Sequence, residues 1–456
     1  MSNLYSIIDR QREFFYSGYT KTETFRKENL EKLRDLVDLY EDEILACLKV
    51  DLGKSNFEAY VSEISFLKEE IKFALDNLSD WMKPIREKTP IQAMPAKSYT
   101  LYEPLGVNLI IAPWNYPFLL ALDPVVSAIA SGNTVILKTS SKTLATTEVI
   151  TTMINNHFPE EYIYVVDNDK VSHEELLAGT YDHIFYTGGK SVGKHIMKKA
   201  SENLTKVTLE LGGKSPCIVD RTADLDNAAK SIAWGKTLNA GQTCVAPDYI
   251  LVDFAIKEKF IEKLKKYLVE FYGLNPLLSK DYGSIINTSH LEGLVDLLEG
   301  QDIIFGGNFD KDTLKIEPTI VDGVDFDNKL MEDEIFGPII PIITYENINS
   351  ILYKIKRLPK PLAFYLFADD KRLIDKVMYN MEYGNGCVND CIMQIASPYL
   401  EFGGVGASGM CGYHGYNGFV NFSNKKSIMH TPKNLKVNIK YPPYEEGKLN
   451  LVKKIM

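Results

Sequence analysis

From residue 106 onward the chain alternates short β-rich runs with amphipathic helical ones, and no other feature narrows its fold so far. The runs VNLIIA, NTVILK, YIYVV and DHIFYTG are strand-like, and helical patterns over 118–131, 143–156, 173–179 and 190–201 separate them. Strands alternating with helices in this way describe a parallel sheet with crossover helices. After KVTLELGGKSP a second series follows: YILVDF, DIIFGG, IEPTIV, IIPIIT, LAFYLF and GNGCVND, with helices predicted over 257–271, 288–299, 347–357 and 370–380. The simplest reading is an α/β chain of two domains joined near 210–213. Ahead of them, helical spacing of Leu30, Leu33, Val37, Tyr40, Ile44 and Leu48, then of Ile64, Leu67, Ile71, Leu75 and Leu78, predicts two long helices over 24–50 and 57–81. Residues 84–104, punctuated by four prolines, predict an excursion from the compact body with a strand at KSYTLYE. A glycine-rich stretch over 403–418 and a strand near 435–442 close the chain.

Bulk properties remove several functions. The 456 residues carry a formal net charge of −10, which argues against a nucleic-acid surface. The longest apolar run, GVNLIIAPWNYPFLLAL, is broken by Asn108, Pro113, Asn115 and Pro117 and is too interrupted to span a membrane. The start MSNLYSIIDRQREFF has no signal-peptide pattern, and GKLNLVKKIM is too short for an anchor. A cytoplasmic location is therefore expected. The six cysteines form no C-x-x-C pair, so free thiols and no metal site are expected.

Several stretches carry chemistry-bearing side chains. Cys244 lies in NAGQTCVAPD, a polar loop in which Gly241 allows close backbone approach. A thiolate nucleophile needs a base or a field and donors for the oxyanion it creates. From this peptide alone, a loop cysteine without a role is an equally good reading. Glu210 in LELGGKSP sits at an apolar strand end, where desolvation raises a carboxyl toward general-base use; alone, a solvated glutamate is the better reading. Asn115 in APWNYP is held between two prolines as an oxyanion donor or, equally, as a turn residue. A strand runs into Lys138, where an α/β sheet binds ligands, and FYTGGKSVG offers Gly188, Gly189 and Gly193 at a strand–helix junction suited to a pyrophosphate. Neither GGKS is a phosphate loop, because Ile184 and Thr208 stand where its first glycine belongs. EDEIFGP offers Glu334 for ribose hydroxyls and Phe336 as a ring wall.

Jointly, PWNYP, the strand into Lys138, YTGG, ELGGKSP, GQTC and EIFGP resemble the NAD(P)-dependent aldehyde dehydrogenase superfamily in order and rough spacing, over nearly the whole chain. EAYVSEI, FGGVGASGM, YHG and YPPY are similar to its class 3 and fatty-aldehyde branch. The resemblance implies a Rossmann-like cofactor domain (1–81 and 105–210), a catalytic domain (211–400) and small β bridging segments (82–104 and 401–456) that pair with a partner in a homodimer. It implies Cys244 as the nucleophile, Asn115 with the Cys244 N–H as oxyanion hole, and Glu210 as the base that activates water against a thioester. Trp114, Lys138, Gly188, Gly189, Gly193, Glu334 and Phe336 would belong to the cofactor site. Two departures stand out. Ser141, beside Lys142, replaces the family's usual glutamate at the adenosine ribose, so NADP is expected to serve well, in place of NAD or beside it. Gly189 replaces the usual serine, removing a hydroxyl from the pyrophosphate site.

Rival readings are a coenzyme A-acylating enzyme, disfavoured by Glu210, and an inactive binding protein, disfavoured by the intact set. A Cys–His hydrolase would need a histidine, and His414 reads as structural. An apolar tunnel lined by Tyr60, Tyr116, Leu119 and Ile392 of CIMQIASP, with no arginine, favours medium or long aliphatic and aromatic aldehydes.

Overall fold

The computed structural model describes residues 3–433 and 438–455. Two large sheets, a three-stranded one and a two-stranded one (Phe309–Asp310 with Lys315–Ile316) organise the described residues. The first sheet runs, in spatial order, Gly409–Met410, Lys206–Leu211, His183–Gly188, Val107–Ile111, Thr134–Lys138 and Ile163–Val165. All its pairings are parallel except that of Gly409–Met410, which sets Gly409 opposite Glu210. The second runs Asp302–Phe305, Thr319–Asp322, Ile339–Tyr345, Tyr249–Asp253, Pro216–Val219, Ala363–Phe367 and Asn385–Val388, with only the first strand antiparallel. Helices cover both faces of each sheet, so central strands such as Thr134–Lys138 and Ala363–Phe367 are buried along their whole length. That double burial is why they read as unbroken apolar runs.

One core cluster joins the sheets, combining Val135 and Phe185 of the first with Cys217, Ile250 and Ile340 of the second. The chain crosses from one sheet to the other between Leu211 and Pro216. The third sheet is antiparallel: Lys97–Pro104 lies between Ile85–Glu87 and Ser423–His430. Among the described residues, no helix is long and apolar enough to cross a membrane.

Four local expectations change. The predicted helix over 24–50 is two helices, Glu23–Leu39 and Glu41–Leu52, which meet at Tyr40. The helix predicted over 57–81 begins as a short α turn, passes through a wide π turn at Tyr60–Ile64, and settles into Ser65–Trp81. A further helix, Leu4–Tyr16, packs Leu4, Ile7 and Ile8 on the outer face of the first sheet. The closing strand is Ser423–His430 rather than 435–442: of the latter, 434–437 lie outside the described residues and Asn438–Lys440 form a 3-10 turn.

Candidate active site

A cavity of about 1030 Å³ lies between the two large sheets, at the carboxyl ends of the first sheet's strands and the amino ends of the second's. Asn115 follows the strand ending at Ile111, and Gly188 and Glu210 lie at the ends of theirs. From the other side come Cys244 ahead of Tyr249–Asp253 and Phe336 ahead of Ile339–Tyr345. All five line the cavity. Ligands of open α/β sheets bind at such carboxyl ends.

The cysteine loop follows the helix Leu225–Thr237, which sequence reasoning missed; Asp224 caps it, accepting from the N–H groups of Asp226 and Asn227. Beyond it Asn239, Ala240 and Gly241 are successively left-handed, with φ of 51°, 51° and 75°. Two non-glycine residues there cost about 1–2 kcal/mol each. Hydrogen bonds offset that strain. Asn239 N–H donates to Glu58 Oε1 (2.8 Å), and its Nδ2 donates to the carbonyls of Asn115 (2.7 Å) and Gln242 (3.1 Å). Gln242 Nε2 donates to the carbonyls of Asn239 and Ser284, while its Oε1 accepts from Ile286 N–H. Gly241 is required: a Cβ there would stand 2.4 Å from the Gly337 carbonyl oxygen. The result is a stiff loop that leaves the Cys244 thiol half-buried on the cavity wall.

Asn115 faces that loop, its Nδ2 donating to the Gln242 carbonyl at 3.1 Å. Its segment rests on an ion pair, Lys54 with Glu63 at 2.5 Å, whose side chains are both fully buried. Glu63 Oε2 also accepts from Phe118 N–H (2.9 Å) and Leu119 N–H (3.1 Å). The Lys54 ammonium lies 4.0 Å from the Tyr116 ring centroid, and the Tyr116 hydroxyl meets Thr243 Oγ1 at 2.6 Å. Lys54, Glu58, Glu63, Asn239 and Gln242 were not singled out from the sequence. Glu58 and Glu63 stood inside EAYVSEI, but Lys54 after Gly53 reads like any solvated loop lysine.

The cavity's ionisable groups oppose one another. Glu210 is 3 % exposed and neither carboxyl oxygen has a hydrogen-bond partner. Burial, then the charge of Glu401, holds its pKa well above the usual carboxylate range. Burial likewise pushes the Cys244 thiol up to about 12, aided by the charges of Glu334 and Glu210. Glu334 is raised to about 8 by burial and Asp248, against the pull of Lys190, the Gly213 N–H and Lys236. Gly212 makes room for it, since a Cβ there would stand 1.9 Å from Glu334 Oε2. A thiol so placed stays protonated until a base takes its proton.

Trp114, Gly188, Gly189, Glu334 and Phe336 line the cavity, as do Tyr116, Leu119 and Ile392. Other candidates fall outside it. Lys138 donates to Asn168 Oδ1 at 2.5 Å, Gly193 packs against Leu211, and Ser141 and Lys142 are exposed. The Lys142 ammonium stands 5.3 Å from the Trp114 ring centroid. Tyr60 also stays outside: its ring meets Lys68. Its neighbours Glu58, Val61 and Ser62 line the cavity in its place. His414, read as structural, is a lining residue.

An open parallel sheet with a glycine-rich helix start, joined to a cavity bearing a thiol and an unpartnered carboxyl, has the parts that an oxidoreductase working with a nicotinamide dinucleotide needs. The model of the aldehyde dehydrogenase family matches residues 10–428. The chain belongs to this family, and its reaction is the NAD(P)-dependent oxidation of an aldehyde. It is 45% identical over 444 residues to a 4,4'-diaponeurosporen-aldehyde dehydrogenase of Staphylococcus aureus, covering 97% of this chain and 96% of that one. It is 41% identical to a dimeric NADP-preferring aldehyde dehydrogenase of Canis lupus familiaris, over 97% of this chain and 98% of that one. Among solved structures, the substrate-bound state of Staphylococcus aureus AldH superposes with a TM-score of 0.96 at 44% identity, covering 100% of this chain and 99% of that one.

Proposed function

We propose that Cys244 is the nucleophile of this oxidation, Asn115 its oxyanion donor and Glu210 its base. The observation that carries the reading is that these three side chains share one cavity with Gly188, Gly189, Glu334 and Phe336. Glu210 takes the thiol proton, and the sulfur adds to the aldehyde carbonyl. One Nδ2 hydrogen of Asn115 is engaged by Gln242, which leaves the other, with the Cys244 N–H, for the developing oxyanion. Bound NAD(P) supplies the hydride acceptor, and a thioester remains on Cys244. Once Glu210 has released that proton to solvent, it deprotonates the water that hydrolyses the thioester, and the carboxylate leaves as the Cys244 sulfur is freed. A base at this position favours hydrolysis over transfer to coenzyme A.

The residues present fit a dinucleotide. The helix Lys190–Ser201 starts on the cavity wall, and a Cβ at its N-cap Gly189 would meet nothing within 4 Å, so its first amides stand open to a pyrophosphate. Glu334 would hold the nicotinamide ribose and Phe336 the ring, with Trp114 beside them, Gly193 packing the helix start, and Lys138 at the adenosine ribose. Ser141 and Lys142 put no carboxylate near a 2′-phosphate, so we assign good use of NADP beside NAD; the canine relative named NADP-preferring supports this. Residues 1–81 and 105–210 form the cofactor domain, 211–400 the catalytic domain, and 82–104 with 401–456 the bridging element of a homodimer. Phe66, Leu119, Leu120, Ile395 and Phe402 make an apolar tunnel for medium or long aliphatic and aromatic aldehydes. Six free cysteines fit a reducing, cytoplasmic compartment.

Aldehydes of graded chain length, assayed with NAD and with NADP on the parent and on Cys244→Ser, test this reading. The variant is expected to keep its fold and lose reduced-cofactor formation. Parental turnover by Cys244→Ser would overturn it.

A further inference from the structure

One wall of the cavity is built on a strained turn. Ile392, Met393, Ile395, Ala396 and Pro398 line the cavity in a single stretch. Ile392 has φ 67° and ψ −34°, and Met393 N–H donates to the Cys391 carbonyl at 2.7 Å, closing a three-residue turn around it. A turn of this kind with its central residue at positive φ is rare and strained, the more so for a β-branched side chain. Such strain costs about 1–3 kcal/mol and lasts only where the surroundings impose it. Cys391 is fully buried, its Cβ 2.8 Å from the place a Cβ on Gly235 would take, so the helix Leu225–Thr237 supports the turn from beneath.

One hydroxyl holds this turn and the nucleophile's loop together. Tyr365, on the central strand Ala363–Phe367, is fully buried. Its hydroxyl accepts from Ile392 N–H (3.3 Å) and from Gln394 Nε2 (3.0 Å), and it donates to the Val245 carbonyl (2.5 Å). One donor and two lone pairs are a hydroxyl's whole capacity, so every bond it can make is used. Val245 follows Cys244 directly, and Ala246 N–H donates to the Thr243 carbonyl at 2.9 Å. Cys244 and Val245 are therefore the central residues of a four-residue turn. The Tyr365 hydroxyl joins the tunnel wall to the peptide beside the thiol with no side chain between. Neither Tyr365 nor Gln394 takes part in the proposed steps.

We infer that Tyr365 is a positioning residue through which the aldehyde's tail aligns Cys244. An apolar tail that fills the wall packs against Ile392 and holds the turn in its strained form. The Tyr365 hydroxyl then fixes the Val245 carbonyl, and with it the direction of the Cys244 thiol and N–H. A short aldehyde leaves the wall uncovered, and thermal motion of the turn passes to the thiol. Contact energy from the non-reacting part of the substrate is thereby realised in the orientation of the reacting atoms. Tail length is expressed in the rate of oxidation as well as in KM. This rests on Cys244 being the nucleophile.

The test compares propanal with octanal on the full-length enzyme at saturating aldehyde and cofactor. Stopped flow reads the first turnover of reduced cofactor, and steady-state assays give kcat and KM. The parent is expected to oxidise octanal in the first turnover at least about tenfold faster than propanal. Tyr365→Phe should bring that ratio to within about twofold while the ratio of the two KM values stays parental, because the apolar lining is intact. Gln394→Leu removes one of the two links to the wall together with the unpartnered Gln394 Oε1, so it should fold as the parent does and show an intermediate rate ratio. It decides the matter if Tyr365→Phe fails to fold. A parental rate ratio in the variants would overturn the inference. So would an equal loss for both aldehydes, or a parent whose length dependence lies in KM alone. Parental turnover by Cys244→Ser refutes the nucleophile, whereas an inactive Cys244→Ser beside a Tyr365→Phe that keeps the parental ratio refutes the coupling alone.

Discussion

Glu63→Gln should damage both stability and rate, although Glu63 is not a reacting group in the proposed scheme. The glutamine keeps the shape and can still accept from Phe118 and Leu119 N–H through its carbonyl oxygen. It then turns an amide N–H₂ toward the Lys54 ammonium, 2.5 Å from the present carboxylate oxygen. A fully buried ammonium loses its counter-charge, a loss that costs about 3–5 kcal/mol. The strain falls on the segment carrying Asn115 to Leu119, because Lys54 also lies against the Tyr116 ring. Displacing Asn115 by about 1 Å would slow the reaction roughly 100-fold. Urea unfolding followed by tryptophan fluorescence, with kcat measured on the same samples, reads both effects. Lys54→Met with Glu63→Gln removes the orphaned charge and should regain most of the stability but not the rate. A single Glu63→Gln variant within about 1 kcal/mol of the parent, with unchanged kcat, would refute the reasoning.

Other substitutions report on the cofactor site and the base. Ser141→Glu should weaken NADP at least about tenfold by placing a carboxylate near its 2′-phosphate, and leave NAD within about twofold; equal effects on both KM values would contradict this. Gly189→Ser meets open space and should tighten the cofactor by about 0.5–1.5 kcal/mol through a new hydroxyl contact, measured by titration calorimetry. Glu210 has a folded pKa above its ordinary 4.5, so the native state holds the extra proton. Its contribution is present below pH 4.5 and is lost as pH rises through the raised value. Glu210→Gln should accordingly lose less thermal stability than the parent between pH 5 and 9, as about-degree shifts in calorimetric Tm would show.

How far the sequence disclosed this molecule depended on where each residue's partners lie. Central strands such as Thr134–Lys138 announce themselves because both faces are buried. Ser423–His430 does not: seven of its eight residues are exposed, and backbone pairing with Lys97–Pro104 holds it without any apolar alternation. The helix Leu225–Thr237 was missed because its inward face is made of small residues such as Ala228, Ala229 and Gly235, though Asp224 marked its start. The break at Tyr40 hid because the apolar spacing continues across it. Cys244, Glu210 and Asn115 stood in short legible motifs, each ambiguous alone. The Lys54–Glu63 pair and the Asp123–His414 contact join residues far apart or disguised as surface, and only the folded chain brings them together.

The antiparallel strand Gly409–Met410 returns the end of the chain to the edge beside Glu210. Consequently the reactive pocket has no rear wall until Phe402, Tyr413 and His414 have left the ribosome. Cys244 emerges about 170 residues before His414, a delay of roughly 10–30 s at ordinary elongation rates. Throughout that interval the nascent thiol lacks its finished enclosure, and the strand bearing Glu210 is an open edge. Late closure has a consequence for premature termination: a product ending near residue 405 would hold every residue of the proposed Cys244–Glu210–Asn115 set and still lack the strand that pairs beside Glu210.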